Sequence, residues 1–428
     1  MKIVISNIVT LNVGDAAILR GMMAVLRRAF GDDAKIVVFD KAAEAAARYY
    51  PWASFRQALF VRAPDRGVKR WLWVHGWAHR VRRFDAWRFR QAGRWLGRAR
   101  HIARLFVNDE EAADLELYRS ADLVISGGGT YLVENYGLEP STLDYELTLA
   151  FARPLAFFTQ SLGPFRIPEH RKRLGHVFRS AVAMFVRDDP SAAHLRDLEV
   201  AEQRIVKCAD AAFALARDQE YGGSPIGVAP PMIAISVRGW RHFETIDPDE
   251  GERRYFDSVA GLAERLSRAH DARITFVSTC QGMPEYWTDD SETARRVVER
   301  LTPEVAARVA VDTEARGPEE LIDLYGSFDL VVATRMHAAI LALCAGTPVL
   351  PIAYEFKTRE LFERMRLGEW VTDIEEISPE TFPALGEACL ARLAELREAV
   401  RREVPPLRES AFVPAEMLRR RLVTDARK

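Results

Sequence analysis

The run from Phe328 to Phe362, FDLVVATRMHAAILALCAGTPVLPIAYEFKTRELF, leaves a chain little choice of fold. Asp329 to Ala333 is a short apolar, β-branched run, which predicts a buried strand. A helix follows over about His337 to Cys344, closed by Gly346 and Pro348, and Val349 to Tyr354 predicts a second buried strand. Such a strand–helix–strand series is a βαβ unit, whose parallel strands belong to an α/β sheet. Arg335 and His337 fall where the first strand ends, Glu355 and Lys357 where the second ends. In a parallel sheet those ends lie side by side on the carboxyl edge, where open α/β sheets bind ligands. Two cations, an imidazole and a carboxylate there form a candidate anion site with an acid or base inside it.

At 428 residues the chain is too long for one ordinary core and suits two domains. A composition that is 48% hydrophobic and 28% charged is that of a soluble globular protein, and a net charge of −1 gives no general pull toward nucleic acid. Cys208, Cys280, Cys344 and Cys389 are far apart with no C-x-x-C pair, which argues against zinc or a disulfide framework and fits a reducing compartment. Met1 to Val9 carries no cleavage-site pattern and predicts a first strand, not a signal peptide. With no apolar run of about 18 residues, a spanning helix is not expected. A cytoplasmic protein is the expectation.

Lys2 to Val9 is followed by Asn12-Val13-Gly14-Asp15 and a helix to Phe30, so a polar, glycine-containing turn joins strand to helix. Such a turn either presents helix N–H groups to an anion or is an Asp N-cap. After Lys35 to Asp40 the α/β rhythm stops. From Arg56 to Arg104 fourteen basic residues face two acidic ones, Asp65 and Asp85, and tryptophans recur from Trp52 to Trp95. Trp77, Val81, Phe84, Gln91 and Trp95 share a helical face. The region 41–104 is read as a helical insertion whose apolar face covers its own domain, with an anionic membrane surface or an acidic polymer as the other possible contacts. His75 and His79 have no third ligand nearby and are read as surface residues.

Ala121 to Ser126 resumes the strand pattern and runs into Gly127-Gly128-Gly129, where backbone can approach a ligand closely. Neither the dinucleotide fingerprint nor a P-loop is present. A strand over 154–160 ends at Gln160, and one over 181–186 ends at Arg187-Asp188, where Arg187 is either a ligand cation or a surface salt bridge with Asp188 or Asp189. Gly222 to Pro231 predicts a linker, and a second α/β series begins at Met232, with Arg238 just past its first strand. The expected domains are 1–221, the linker 222–231, 232–377, and C-terminal helices over 378–428 broken at Pro405-Pro406.

Taken in order, these motifs resemble the polysaccharide pyruvyl transferase family. The residues that carry the likeness are Asn12-x-Gly14-Asp15, Asp122 to Gly129, Gln160-Ser-Leu-Gly163-Pro164, Arg187-Asp188, Thr334-Arg335-Met336-His337, Gly346-Thr347-Pro348 and Tyr354-Glu355-Phe356-Lys357. The Tyr-Glu-x-Lys-Thr-Arg ending is similar to the exopolysaccharide, colanic-acid-like branch, whereas the Trp/Arg-rich stretch departs from the family pattern. The resemblance implies two Rossmann-like domains facing a cleft, as in GT-B proteins. It also implies transfer of pyruvate from phosphoenolpyruvate (PEP) to sugar hydroxyls as a ketal, without a metal or cofactor. The acceptor is an exopolysaccharide or its lipid-linked repeat unit, and peripheral membrane contact through 52–104 is a further option. By resemblance Arg187, Arg335, His337 and Lys357 are functional; Arg238 joins them by position alone. Asn12, Gly14, Asp15, Gly127, Gly128, Gly129, Gln160 and Glu355 complete the expected substrate contacts.

A trianion on three carbons calls for several fixed cations, Arg for bidentate contacts and Lys as a point charge. His337 suits proton transfer, because imidazole titrates near neutral pH. A GT-B glycosyltransferase using a nucleotide sugar shares these features, and a non-catalytic, membrane-peripheral assembly protein is the reading from another class.

Overall fold

The computed structural model describes residues 1–61, 67–217 and 230–425. The expected linker falls, up to residue 229, outside the described residues, as do Arg62, Asp65 and Arg66 of the basic stretch. The chain divides into two compact α/β units. Leu11–Arg20 groups with the second unit, and the chain from Ser410 onward with the first, so the units do not follow linear order.

The first unit is built on strands β1 (Lys2–Ile8), β2 (Lys35–Asp40), β3 (Ser54–Gln57), β4 (Leu123–Ser126), β5 (Gly129–Leu132), β6 (Leu155–Leu162), β7 (Ala183–Val186) and β8 (Ile205–Lys207). Their order is β3-β2-β1-β4-β6-β7-β8, with β5 beside β6. Every pairing is parallel, for example Ile3 opposite Leu123 and Ala156 opposite Ala183. Parallel strands are covered on both faces, which is why β6 is buried along its whole length. The core beneath is aromatic, with Phe39, Tyr118, Tyr145, Phe157 and Phe178 packed together.

The second unit holds β9 (Met232–Ser236), β10 (Arg273–Val277), β11 (Val309–Asp312), β12 (Leu330–Ala333), β13 (Val349–Ala353) and β14 (Thr372–Asp373). They lie in the order β11-β10-β9-β12-β13-β14, all parallel, which is the Rossmann sequence of strands. The order reverses between β9 and β12, so Arg238 beyond the one and Arg335 beyond the other sit at the switch point. The same reversal occurs in the first unit between β1 and β4.

Three features depart from expectation. The region 41–104 is not wholly helical: β3 pairs in parallel with β2 and extends the sheet. Its sequence, Ser-Phe-Arg-Gln, has one apolar residue in four and alternates exposed with half-buried, so an edge strand there carries no apolar run to recognise. Gly129, at a φ of 123°, is not simply part of a turn but begins β5. The last helix, Leu393–Asp425, continues through Pro405-Pro406. Proline deletes backbone hydrogen bonds, but Leu396, Val400, Val404, Leu407, Ala411 and Leu418 are buried along one stripe, and that burial offsets the loss.

Candidate functional site

In the second unit β12 and β13 pair side by side, and each feeds directly into a helix, Met336–Cys344 and Phe356–Arg364. Arg335 and Glu355 occupy the N-cap positions, and neither side chain caps its helix. Other helices are side-chain capped by Asn108, Asp188, Asp247 and Asp289, while those after Ala42, Leu138 and Ile167 also lack such a cap. What sets the two starts after β12 and β13 apart is their place: N–H groups and the positive ends of two helix dipoles lie at the carboxyl edge of the sheet, beside Arg335, His337 and Lys357. His337 lies in the first turn of one helix and Lys357 in the first turn of the other.

Arg335 is held by a fork on Asp290, with Nε donating to Oδ2 at 2.8 Å and Nη2 to Oδ1 at 2.6 Å. The carboxylate is buried, at 1% side-chain exposure, and the arginine keeps 13%. Burial pulls the Arg335 pKa down, but Asp290 more than reverses this and the net shift is upward. Asp290 Oδ2 also accepts from the Cys280 backbone N–H at 3.1 Å. Burial pushes the Cys280 thiol up to about 12, opposed by Arg335 and assisted by the carboxylates of Asp290 and Asp15. Burial likewise raises the Tyr286 hydroxyl, with Cys280 and Asp15 adding to the effect and Asn12 within hydrogen-bonding reach. Asn12 Oδ1 accepts from the Gly14 N–H at 3.0 Å. Gly14 is packed on the imidazole: a methyl group there would lie 2.6 Å from His337 Nδ1. The expected turn at Asn12–Asp15 is instead Asn12 followed by the start of the helix Val13–Phe30, and this helix start joins His337 and Arg335 in one group.

Arg238 stands over the rings of Tyr354, at 4.2 Å, and Trp240, at 5.1 Å, and its backbone N–H reaches the Tyr255 hydroxyl at 3.5 Å. That hydroxyl bonds Thr334 Oγ1 at 2.7 Å, tying the β9 end to the β12 end. Lys357 Nζ sits 2.8 Å from Glu355 Oε2, with the lysine 11% and the glutamate 45% exposed. Glu355 therefore orients Lys357.

The other expected residues belong to the first unit. Arg187 donates from Nε to Ser161 Oγ at 2.8 Å and from Nη2 to Thr130 Oγ1 at 2.9 Å, and Nη1 pairs with Asp210. The pair is buried, at 6% and 3% exposure, so the surface bridge to Asp188 or Asp189 is replaced by an internal one. Asp188 instead caps the next helix through the Ser191 N–H. Gln160 is fully buried and donates to the Gly127 carbonyl, bracing the Gly127-Gly128-Gly129 turn. Near the carboxyl ends of β1 and β4, Ser126 Oγ meets Tyr145 Oη at 2.7 Å and Ser141 Oγ donates to Asn7 Oδ1 at 2.8 Å. Tyr118 Oη donates to Asp144 Oδ1 at 2.7 Å. Burial raises the Asp144 carboxyl to about 6, against the pull of Tyr118.

Asp290, Cys280, Tyr286 and this first-unit network were not expected. One signal was available for the network: Ser6 and Asn7 are polar residues near the end of an otherwise apolar strand. Asp290 follows Asp289 at a helix start, where an acid reads as a cap. Among the described residues no group of three or more His, Cys, Asp or Glu is arranged for a metal ion. No helix among them is long and apolar enough to cross a membrane.

Comparison with known proteins bears on this arrangement. The family described as polysaccharide pyruvyl transferase matches residues 12–355, which contain every candidate residue named above from Asn12 to Glu355. The amylovoran biosynthesis protein AmsJ of Erwinia amylovora is 25% identical over 294 residues, spanning 66% of this chain and 69% of AmsJ. Among solved structures, Anabaena HepE in complex with UDP superposes with a TM-score of 0.55 at 11% identity, covering 99% of this chain and 100% of HepE. The S. aureus MnaA–UDP structure gives 0.56 at 12% identity, covering 96% and 94%. At such identities the likeness is one of fold: two Rossmann-like domains of the GT-B kind.

Proposed function

Because the chain belongs to the polysaccharide pyruvyl transferase family, we propose that its pyruvyl donor is PEP and that it forms a pyruvate ketal on sugar hydroxyls, releasing phosphate. The acceptor is an exopolysaccharide or its repeat unit, free or lipid-linked, in keeping with the amylovoran-related relative. The observation that carries the reading is the pair of helix starts after β12 and β13, uncapped by Arg335 and Glu355 and flanked by Arg335, His337 and Lys357. A small polyanion is the ligand that such a surface selects, since N–H groups, dipoles and cations all favour negative charge.

In this proposal Lys357, oriented by Glu355, and Arg335, fixed by Asp290, hold the carboxylate and phosphate of PEP, and Arg238 lines the same edge. Asn12, Gly14 and Asp15 set the position of His337. A proton reaches the methylene carbon C3, leaving cationic character at C2, and one sugar hydroxyl adds there with loss of its proton. A second hydroxyl then forms its bond to C2 as the C2–O bond to phosphate breaks, and its proton leaves with the phosphate. His337 carries protons in this exchange, the role for which an imidazole is suited at neutral pH. Arg187 and Gln160 brace the loops at Thr130 and Gly127 within the first unit.

A second reading, a nucleotide-sugar glycosyltransferase, draws on the fold neighbours solved with UDP. One experiment separates the two: incubation with PEP and a panel of synthetic or lipid-linked saccharides, following inorganic phosphate, alongside thermal protection by PEP, UDP or GDP. Acceptor-dependent phosphate release and protection by PEP alone are expected. Protection by a nucleotide, with no phosphate from PEP, would overturn the proposal.

A further inference from the structure

Fourteen large hydrophobic side chains are exposed among the described residues, and eight of them fall between Val68 and Leu105. This crowding is not the unburied half of an ordinary amphipathic helix. The helix Ala78–Leu96 already has a core-facing stripe, Ala86, Phe89 and Ala92, buried with Leu115, Leu143 and Leu147 of its own unit. Trp77, Phe84, Trp87 and Trp95 lie on a different stripe of the same helix and stay 38–50% exposed. The expectation that the Trp-bearing face covers its own domain is therefore corrected: only Val81 of that set is buried.

The short helix Gly67–Leu72 and the π-helical turn Trp73–Trp77 lead into this helix, with His75 and Gly76 departing from helical geometry. They present Val68, Trp71 and Val74 at 57–75% exposure. Cations are interleaved with the apolar groups. Arg80 lies 3.8 Å over the Trp77 ring, and Arg70, Arg94, Arg98 and Arg100 are exposed with no carboxylate partner among the described residues. The one acid of the helix, Asp85, is spent on Lys69 and Arg88.

We propose that this ridge, Val68 to Arg100, seats the protein on an anionic phospholipid bilayer. Tryptophan prefers the headgroup level, where its ring is buried and its N–H wet, and arginine meets lipid phosphate there. The exposed apolar groups enter the boundary between headgroups and acyl chains, and the unpaired arginines supply attraction to negative lipid. The occupant is a lipid surface because exposed tryptophans and unneutralised charge of one sign together suit an anionic bilayer interface.

Binding is read without turnover, so its outcome is independent of the pyruvyl-transfer reading. The full chain is sedimented with phosphatidylcholine vesicles with and without phosphatidylglycerol. Binding to the anionic vesicles alone, weakened on raising salt from about 0.1 to about 0.5 M, is expected. The variant W71S/V74S/W77S should bind at least ~10-fold more weakly, and Arg70, Arg80, Arg94 and Arg98 changed together to Gln should do likewise. Trp287→Ser, at an exposed residue of the other unit, should bind as wild type. Should a variant fail to fold, quenching of wild-type tryptophan fluorescence by brominated phospholipid replaces it, and quenching is expected. Absence of binding and quenching, or undiminished binding by the triple variant, overturns the proposal. So does a dimer that the triple variant converts to monomer, because a second copy would then cover the ridge.

Discussion

Two largely enclosed arginines at strand ends, one in each unit, are held quite differently. Arg187 has all three nitrogens engaged, by Ser161, Thr130 and Asp210. Arg335 gives two nitrogens to Asp290, and its Nη1 has no hydrogen-bond partner among the described residues. Arg335 is also an N-cap beside an uncapped helix start with His337 and Lys357 close along the sheet edge, whereas Arg187 is followed by Asp188, which caps its helix. A guanidinium tied internally at each of its nitrogens organises loops, and one with a whole nitrogen to spare beside N–H groups can still receive an anion. The contrast predicts that the second unit does the chemistry and that Arg187 acts through what it ties together.

The largest effect should come from the imidazole. His337→Ala is expected to lower kcat for phosphate release by about 10²–10⁴ while leaving PEP affinity within a few-fold, as for loss of a proton carrier. Near wild-type turnover would remove His337 from the mechanism. Arg187→Met, which strands Asp210, should cost about 3–5 kcal/mol by denaturant unfolding, and the double change with Asp210→Leu should restore most of it. If the double variant is stable but fails to bind PEP, the contrast drawn above collapses and Arg187 is a ligand residue.

Asp144 offers a pH test confined to the first unit. Its folded pKa of about 6 lies above the ordinary 3.8, so its contribution is fully present below pH 3.8 and is lost as pH rises through 6. A two-unit shift corresponds to about 3 kcal/mol. Asp144→Asn, which keeps an acceptor for Tyr118, should therefore raise Tm at pH 8 and leave it little changed near pH 4; equal shifts at both would refute the burial argument. Gly14→Ala should displace His337 and lower kcat by up to about 10²-fold, with a stability loss of about 1–3 kcal/mol from overpacking. Smallest of all, Lys357→Met should raise KM for PEP by about 10-fold, a lost charge-assisted contact, and an unchanged KM would exclude it from the site.

Much of the site was visible in the linear chain. Arg335, His337, Glu355 and Lys357 lie within one βαβ unit, where local periodicity and the Gly346 and Pro348 signals are enough to put both strand ends on one edge. Gly14 was legible as a strand-to-helix turn, though not as the surface against which His337 rests. Hidden altogether were Asp290, 45 positions from Arg335, and Asp210, 23 positions from Arg187. Nothing local distinguishes either from an acid at a helix start or in a loop.

By itself the sequence determined the two α/β series and the strand ends at which polar residues gather, because strand, helix and turn preferences are settled by interactions among near neighbours. Only the tertiary structure decided which cations are neutralised from within and which retain a donor, and which of two apolar stripes on the Trp-rich helix is buried. Those outcomes depend on which elements come to lie against each other. A side chain's charge balance and solvation are set by that environment, not by its place in the chain.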